Sequence, residues 1–219
     1  MQNSILKLHH APSLTDYGWI DTLLSATRKL RYEYLFPLQL KLAIGTLNFF
    51  GDKQYCQNLF STMGKLPHNT IGRVLHKMMK QNNIMLVPWY KEHDMKHAIL
   101  GYQMNVLDEI RMQCFMWGNS PFNLFNSFMT LFFIIWTPEM WLDAIYHFRA
   151  GKLVNQLDVY KLNQCMRFDL TSFRKNIKLA RAQEYFRELD FVFLRKKNGR
   201  TRSKAYISGS KSVTHSTST

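Results

Sequence analysis

One stretch of seventeen residues, His93 to Glu109, limits what this chain can fold into more than any other. His93 and His97 stand four apart, so on a helix they share one face, and Asp94 lies three residues before His97. Neutral imidazole and carboxylate are groups that Zn²⁺, Co²⁺, Fe²⁺ or Mn²⁺ accept as ligands. Glu109, the next acid that would complete such a site, is twelve residues past His97, roughly 18 Å along a continuous helix at ~1.5 Å per residue. A straight helix cannot bring them together. Between them, however, stands Gly101, suited to a helix C-terminus, and then Asn105 with Asp108 three residues later, an N-cap signature. The chain is therefore expected to turn back as an antiparallel helix hairpin centred near Gln103, which puts Glu109 level with His97. The pattern is not that of the zincin proteases, which carry Glu where Asp94 follows His93. The acid is expected to coordinate a metal rather than act as a protease base.

The rest of the chain also reads as helical. Prolines 12, 37, 67, 88, 121 and 138 mark starts or breaks. Leu23, Leu24, Thr27 and Leu30 share one face, and Leu38, Leu42, Leu47 and Phe49-Phe50 suggest a segment ending near Gly51. Ile71, Val74, Leu75, Met78 and Met79 form an apolar stripe on a helix begun near Pro67-His68-Asn69. Strand-like alternation is scarce. With 46% hydrophobic residues in 219, the expectation is one all-α domain over residues 1–194.

Residues 195–219 hold seven Lys or Arg and no acid, half of the formal net charge of +14, and are expected to be a disordered basic, Ser/Thr-rich tail. Such a tail is either a solvated terminus or an electrostatic attractant for anionic lipid or nucleic acid. Cys56, Cys114 and Cys165 form no Cys-x-x-Cys pair and read as small buried residues in a reducing compartment. The amino-terminal residues resemble neither a secretory signal nor a transit peptide, since Asp16 and Asp21 precede the first arginine, Arg28. A cytoplasmic protein is expected. Residues 54–80 can be read as two helices around Gly64, with Arg73, Lys77 and Lys80 on the second. That outline lacks a base-reading signature, so nucleic acid is not an expected partner. The uncharged run between Pro121 and Pro138 is shorter than the ~20 residues of an ordinary membrane span, which favours a buried core helix.

His93-Asp94-x-x-His97, the following Gly101-Tyr102, and Glu109 after eleven intervening residues resemble the metal motif of the coenzyme Q biosynthesis protein 4 family. The similarity extends through Gly118-Asn119 and Ala150-Gly151-Lys152, covering roughly residues 35 to 180 and most securely 88 to 152. Met95-Lys96 and Leu100 depart from that family, which often has hydrophobic residues and a Thr at these places. The resemblance implies that His93, Asp94, His97 and Glu109 hold a divalent metal (zinc, or cobalt, iron or manganese) and carry the catalysis. The implied reaction is oxidative decarboxylation of the prenylated quinone-precursor ring in ubiquinone biosynthesis. It also implies a prenylated precursor or other isoprenoid lipid as partner, peripheral contact with the inner face of the cytoplasmic membrane, and a homodimer. On this analogy the aromatic run before Pro138 lines a channel for the isoprenoid tail or faces the bilayer surface. Lys96 either attracts the ring carboxylate or faces solvent, Asp108 is a cap residue, and Tyr102 packs the hairpin. The alternative from a different class is a metal-stabilised lipid-binding or scaffold protein with no turnover.

Overall fold

The computed structural model describes residues 26–28, 30–36, 38, 52–88, 90–120, 130–131 and 134–192. The expectations for Leu23 and Leu24, for Leu42 to Phe50, for residues 121–129 and 132–133 of the aromatic run, and for the tail from 195 lie outside them. Among the described residues the protein is all-α, without a strand; an isolated bridge joins Thr70 to Asp169.

After a π-helical turn, Leu30–Leu35, come α1 (Lys53–Gly64), α2 (Ile71–Gln81), α3 (Lys91–Leu100) and α4 (Val106–Asn119). A 3₁₀ turn, Pro138–Met140, leads into α5 (Trp141–Gly151), followed by α6 (Leu162–Cys165), α7 (Leu170–Asn176) and α8 (residues 179–192). Local chemistry sets the starts. Asp52 accepts the amide of Tyr55 at 2.9 Å ahead of α1, and the Thr70 side chain accepts that of Arg73 ahead of α2. The cap of α2 is thus Thr70, slightly later than Pro67-His68-Asn69 suggested. Its stripe is as expected: Ile71, Leu75, Met78 and Met79 are buried, and Val74 packs partly buried against the same core. Gly64 ends α1, and Arg73 donates to its carbonyl, so that arginine serves the α1–α2 turn.

Helix α3 is deeply buried among the described residues. It has ten residues, too short to hold itself in water, and every residue from Asp94 to Leu100 is buried. Tertiary packing against α2 and α7 supports it, and Arg174 of α7 donates to the carbonyls of Ala98 and Ile99 at 2.9 and 2.7 Å. Those are last-turn carbonyls with no partner within the helix. Burial pulls the Arg174 pKa down to about 10, which leaves it charged at neutral pH.

The hairpin forms as the turn residues require. Gly101 takes the left-handed conformation (φ 82°), and its amide donates to the His97 carbonyl at 2.8 Å. Asn105 then caps α4, its Oδ1 accepting the Asp108 amide at 3.0 Å. Helices α4 and α5 make the most extensive helix contact among the described residues, pressed together where Gly118 meets the Phe148 carbonyl and Gly151 meets the Phe115 carbonyl. Asn119 locks this crossing. Its amide nitrogen donates to the carbonyls of Gly151, Val154 and Asn155, and its oxygen accepts the Leu157 amide. No helix among the described residues is long and apolar enough to cross a membrane.

Candidate metal centre

Folding the hairpin brings His93, His97 and Glu109 together. One ligand atom from each lies within 4.8 Å of the others. The Glu109 carboxylate stands between the two imidazoles, Oε1 at 3.0 Å from His93 Nε2 and Oε2 at 3.1 Å from His97 Nε2. The rings meet edge to face with centroids 5.2 Å apart. His97 Nδ1 faces the Tyr102 carbonyl at 3.4 Å, so a proton on Nδ1 leaves the Nε2 lone pair for a cation.

Electrostatics binds the three together. Burial pushes the His93 pKa down, but the Glu109 carboxylate, with Asp94 behind the ring, more than reverses this and lifts it to about 9. For Glu109, burial favours the neutral acid, yet the two histidines hold it well below the usual carboxylate range. Asp94 is set apart from the three. Its Oδ1 is 3.8 Å from His93 Nδ1, on the edge of the ring opposite the Glu109 side, and its buried Oδ2 has no hydrogen-bond partner among the described residues. The donor set fits a divalent cation: two imidazole nitrogens and a carboxylate converge, and the unpartnered carboxylate oxygen nearby adds negative charge that a cation would offset.

Two neighbours were not anticipated from sequence. Tyr90 stacks on His93 with ring centroids 4.0 Å apart, its hydroxyl 3.1 Å from Nε2 and 3.4 Å from Glu109 Oε1. Gln113 donates to Glu109 Oε1 at 2.9 Å and lies 3.0 Å from His93 Nε2. The signal was present in the spacing, since Gln113 is four residues after Glu109 on the same helical face and Tyr90 is three before His93. Neither residue type announces a metal site by itself. Asp108 is the cap residue it was taken for, accepting the Gln103 amide at 2.9 Å, and Tyr102 packs fully buried in the hairpin.

Lys96 is a correction to the solvent-facing alternative offered for it. It is 8% exposed, and its ammonium is held by Asp158, which also accepts from the Ser120 hydroxyl. It therefore does not face solvent, and its charge is engaged by an acid of the chain itself. Burial alone would raise the Asp158 pKa, but Lys96 and Ser120 hold it below the ordinary value. A carboxylate depressed in the folded state stabilises above its unfolded pKa, about 3.9, and the contribution is lost as pH falls through the folded value. Asp158→Asn should cost about 2 kcal/mol near pH 7, less than the about 3–5 kcal/mol of a fully buried pair because Asp158 remains partly exposed. Urea unfolding across pH should show that gap hold down to about pH 4 and close below it.

The three buried cysteines, Cys56, Cys114 and Cys165, are free thiols, and burial pushes Cys114 up to about 12. Cys114 lines an apolar cavity of about 410 Å³ with Trp117 of α4, Ile134, and Trp141, Ala144, Ile145 and Phe148 of α5. Cys114 follows Gln113 directly, so the cavity shares α4 with Glu109 and Gln113.

No family model matches the chain, and no curated protein matches it. Among solved structures it is similar to a Nostoc punctiforme protein provisionally named a ubiquinone biosynthesis protein, at 19% identity over 77% of this chain and 99% of that one, with a TM-score of 0.45.

Proposed function

We propose that this chain binds a divalent metal through His93, His97 and Glu109, with Asp94 as a further ligand or as the support of His93, and acts in ubiquinone biosynthesis. The observation that carries the metal reading is the Glu109 carboxylate placed between two imidazole Nε2 atoms by the hairpin. The reaction rests on the resemblance of His93-Asp94-x-x-His97 and Glu109 to the coenzyme Q biosynthesis protein 4 motif. In that reaction the ring carboxyl leaves as carbon dioxide and one atom of dioxygen becomes the ring hydroxyl. The other oxygen atom is reduced to water by a two-electron donor. A bound metal would supply Lewis-acid or redox chemistry. Tyr90 and Gln113 orient Glu109 and His93, and the π-face of Tyr90 shields one side of the His93 ring from water. The apolar cavity beside α4 has the chemistry to take part of an isoprenoid tail. Exposed Ile135, Trp136, Trp141 and Ile145 nearby suit peripheral contact with a membrane, the location we assign to the protein.

The test uses metal-loaded full-length protein, dioxygen, a reductant, and a prenylated hydroxybenzoate labelled in its carboxyl carbon. Labelled carbon dioxide and a ring-hydroxylated product, both absent with His97→Ala, are the expected result. Retention of the label, with prenyl lipid bound equally by wild type and His97→Ala, would overturn the decarboxylase reading. That outcome would favour a non-catalytic lipid-binding or scaffold protein, which the wholly apolar cavity also suits.

A further inference from the structure

Behind the hairpin lies a nearly closed ring of buried and half-buried polar groups that the metal reading does not itself use. The Tyr102 hydroxyl is hydrogen-bonded to His147 Nδ1 on α5 at 2.6 Å. His147 Nε2 lies 3.4 Å from Asp143 Oδ1, one turn earlier on the same helix, close enough for electrostatic attraction though not aligned as a hydrogen bond. Arg111 of α4 donates through Nε to Asp143 Oδ2 at 2.6 Å and through Nη1 to Asp108 Oδ1 at 2.9 Å. Asp108 Oδ2 accepts the amide of Gln103 at 2.9 Å, which returns the ring to the residue after Tyr102. Tyr102, His147 and Asp108 are fully buried, and Asp143 is 3% exposed.

Burying two carboxylates, a guanidinium, an imidazole and a phenol at one turn is costly unless each is paired, and phenylalanine in place of Tyr102 would fill the same space. The hairpin turn already has its own stop and start in Gly101 and Asn105. What the ring adds is a hold on the two residues that border the ligands. Tyr102 carries the carbonyl that faces His97 Nδ1, and Asp108 directly precedes Glu109. Resting on the metal reading above, we propose that His147 and Asp143 are positioning residues for the metal centre. Through the Tyr102 hydroxyl and through Arg111 and Asp108 they fix the turn, so that the Tyr102 carbonyl selects the His97 tautomer with Nε2 free and Glu109 is held in register with it. Groups around metal ligands that act this way typically change affinity about 10–100-fold when removed.

The experiment measures Co²⁺ affinity by chelator competition, together with the Co²⁺ absorption spectrum, on full-length wild type, Tyr102→Phe, His147→Leu and His147→Asn. Leu75→Ala, a cavity in the α2 core, serves as a control of lowered stability without any change in the ring. All are compared at a temperature where circular dichroism shows them folded. Tyr102→Phe and His147→Leu are expected to weaken Co²⁺ about 10–100-fold and to alter the spectrum. His147→Asn, whose amide oxygen can still accept from Tyr102 near the Nδ1 position, should restore most of the affinity, and Leu75→Ala should bind like wild type. Wild-type affinity and spectrum in both Tyr102→Phe and His147→Leu would overturn the proposal and leave the ring as a latch for the fold. Equal weakening in Leu75→Ala would overturn it as well. If His147→Leu does not fold, Tyr102→Phe, which removes one oxygen atom, decides alone. Absence of Co²⁺ binding by wild type would instead sink the metal reading on which the proposal stands.

Discussion

Glu109→Ala should strip the protein of divalent metal while its helices stay formed. The carboxylate provides one of three converging ligands and the anionic charge among them, facing both imidazoles at 3.0 and 3.1 Å. Without it, two histidines face a gap, and the His93 pKa loses the Glu109 charge that opposed its burial. Two histidines on one helix face are a far weaker donor set than two histidines and a carboxylate. The expected loss of affinity is at least about 100-fold, about 3 kcal/mol. The fold should survive because Glu109 is not what starts α4: the Asn105 cap and the Asp108 contacts remain. Elemental mass spectrometry for bound metal, beside far-ultraviolet circular dichroism for helicity, checks both halves. Glu109→Gln refines the result, since it keeps the shape and an acceptor for Tyr90 but removes the charge. Metal retained by folded Glu109→Ala would place the cation elsewhere. Collapse of the helices in step with metal loss would make the metal structural.

Gly151→Ala and Gly118→Ala should be the most damaging of the conservative substitutions in the chain. A Cβ on Gly118 would sit 1.9 Å from the Phe148 carbonyl oxygen, and one on Gly151 would sit 2.0 Å from that of Phe115. Both obstacles are backbone, so no rotamer change relieves them and α4 must separate from α5. That separation pulls Asn119 away from the three carbonyls that it joins and opens the buried contact around Phe115, Met116 and Ala150. Overpacking typically costs about 1–3 kcal/mol, and a clash with backbone on both sides of one crossing belongs above that range. Urea denaturation should show each variant losing more than about 3 kcal/mol or failing to fold. Gly64→Ala provides the contrast, because its added methyl would meet only the His76 ring, which can rotate. Equal stability losses in all three variants would show that backbone contact at the α4–α5 crossing is not the cause.

Much of the hairpin was legible from the residues alone. Gly101 ends α3 and Asn105 caps α4 where their types required, because a left-handed C-terminal residue and a side-chain cap act within a few residues of chain. With those ends set, the register that puts Glu109 beside His97 follows from helix geometry. The α2 stripe and the burial of the cysteines were readable for the same reason. The placement of Asp94 was less so, since three-residue spacing on a helix brings a side chain near its neighbour without aiming its carboxylate, and here it lies behind His93. That Lys96 does not face solvent was not legible, because charge on a helix next to a site says nothing of a partner 62 residues away.

What the sequence by itself determined is local: helical class, where α3 stops and α4 starts, and the pairing of His93, His97 and Glu109 across one short turn. Only the tertiary structure decided that α4 and α5 meet through Gly118 and Gly151, that Lys96 pairs with Asp158, and that His147 and Asp143 stand behind the metal residues. Caps and periodicity are interactions over three or four residues, so they can be read along the chain. The other contacts join residues 30 to 62 positions apart, and their partners become neighbours only after several helices have packed.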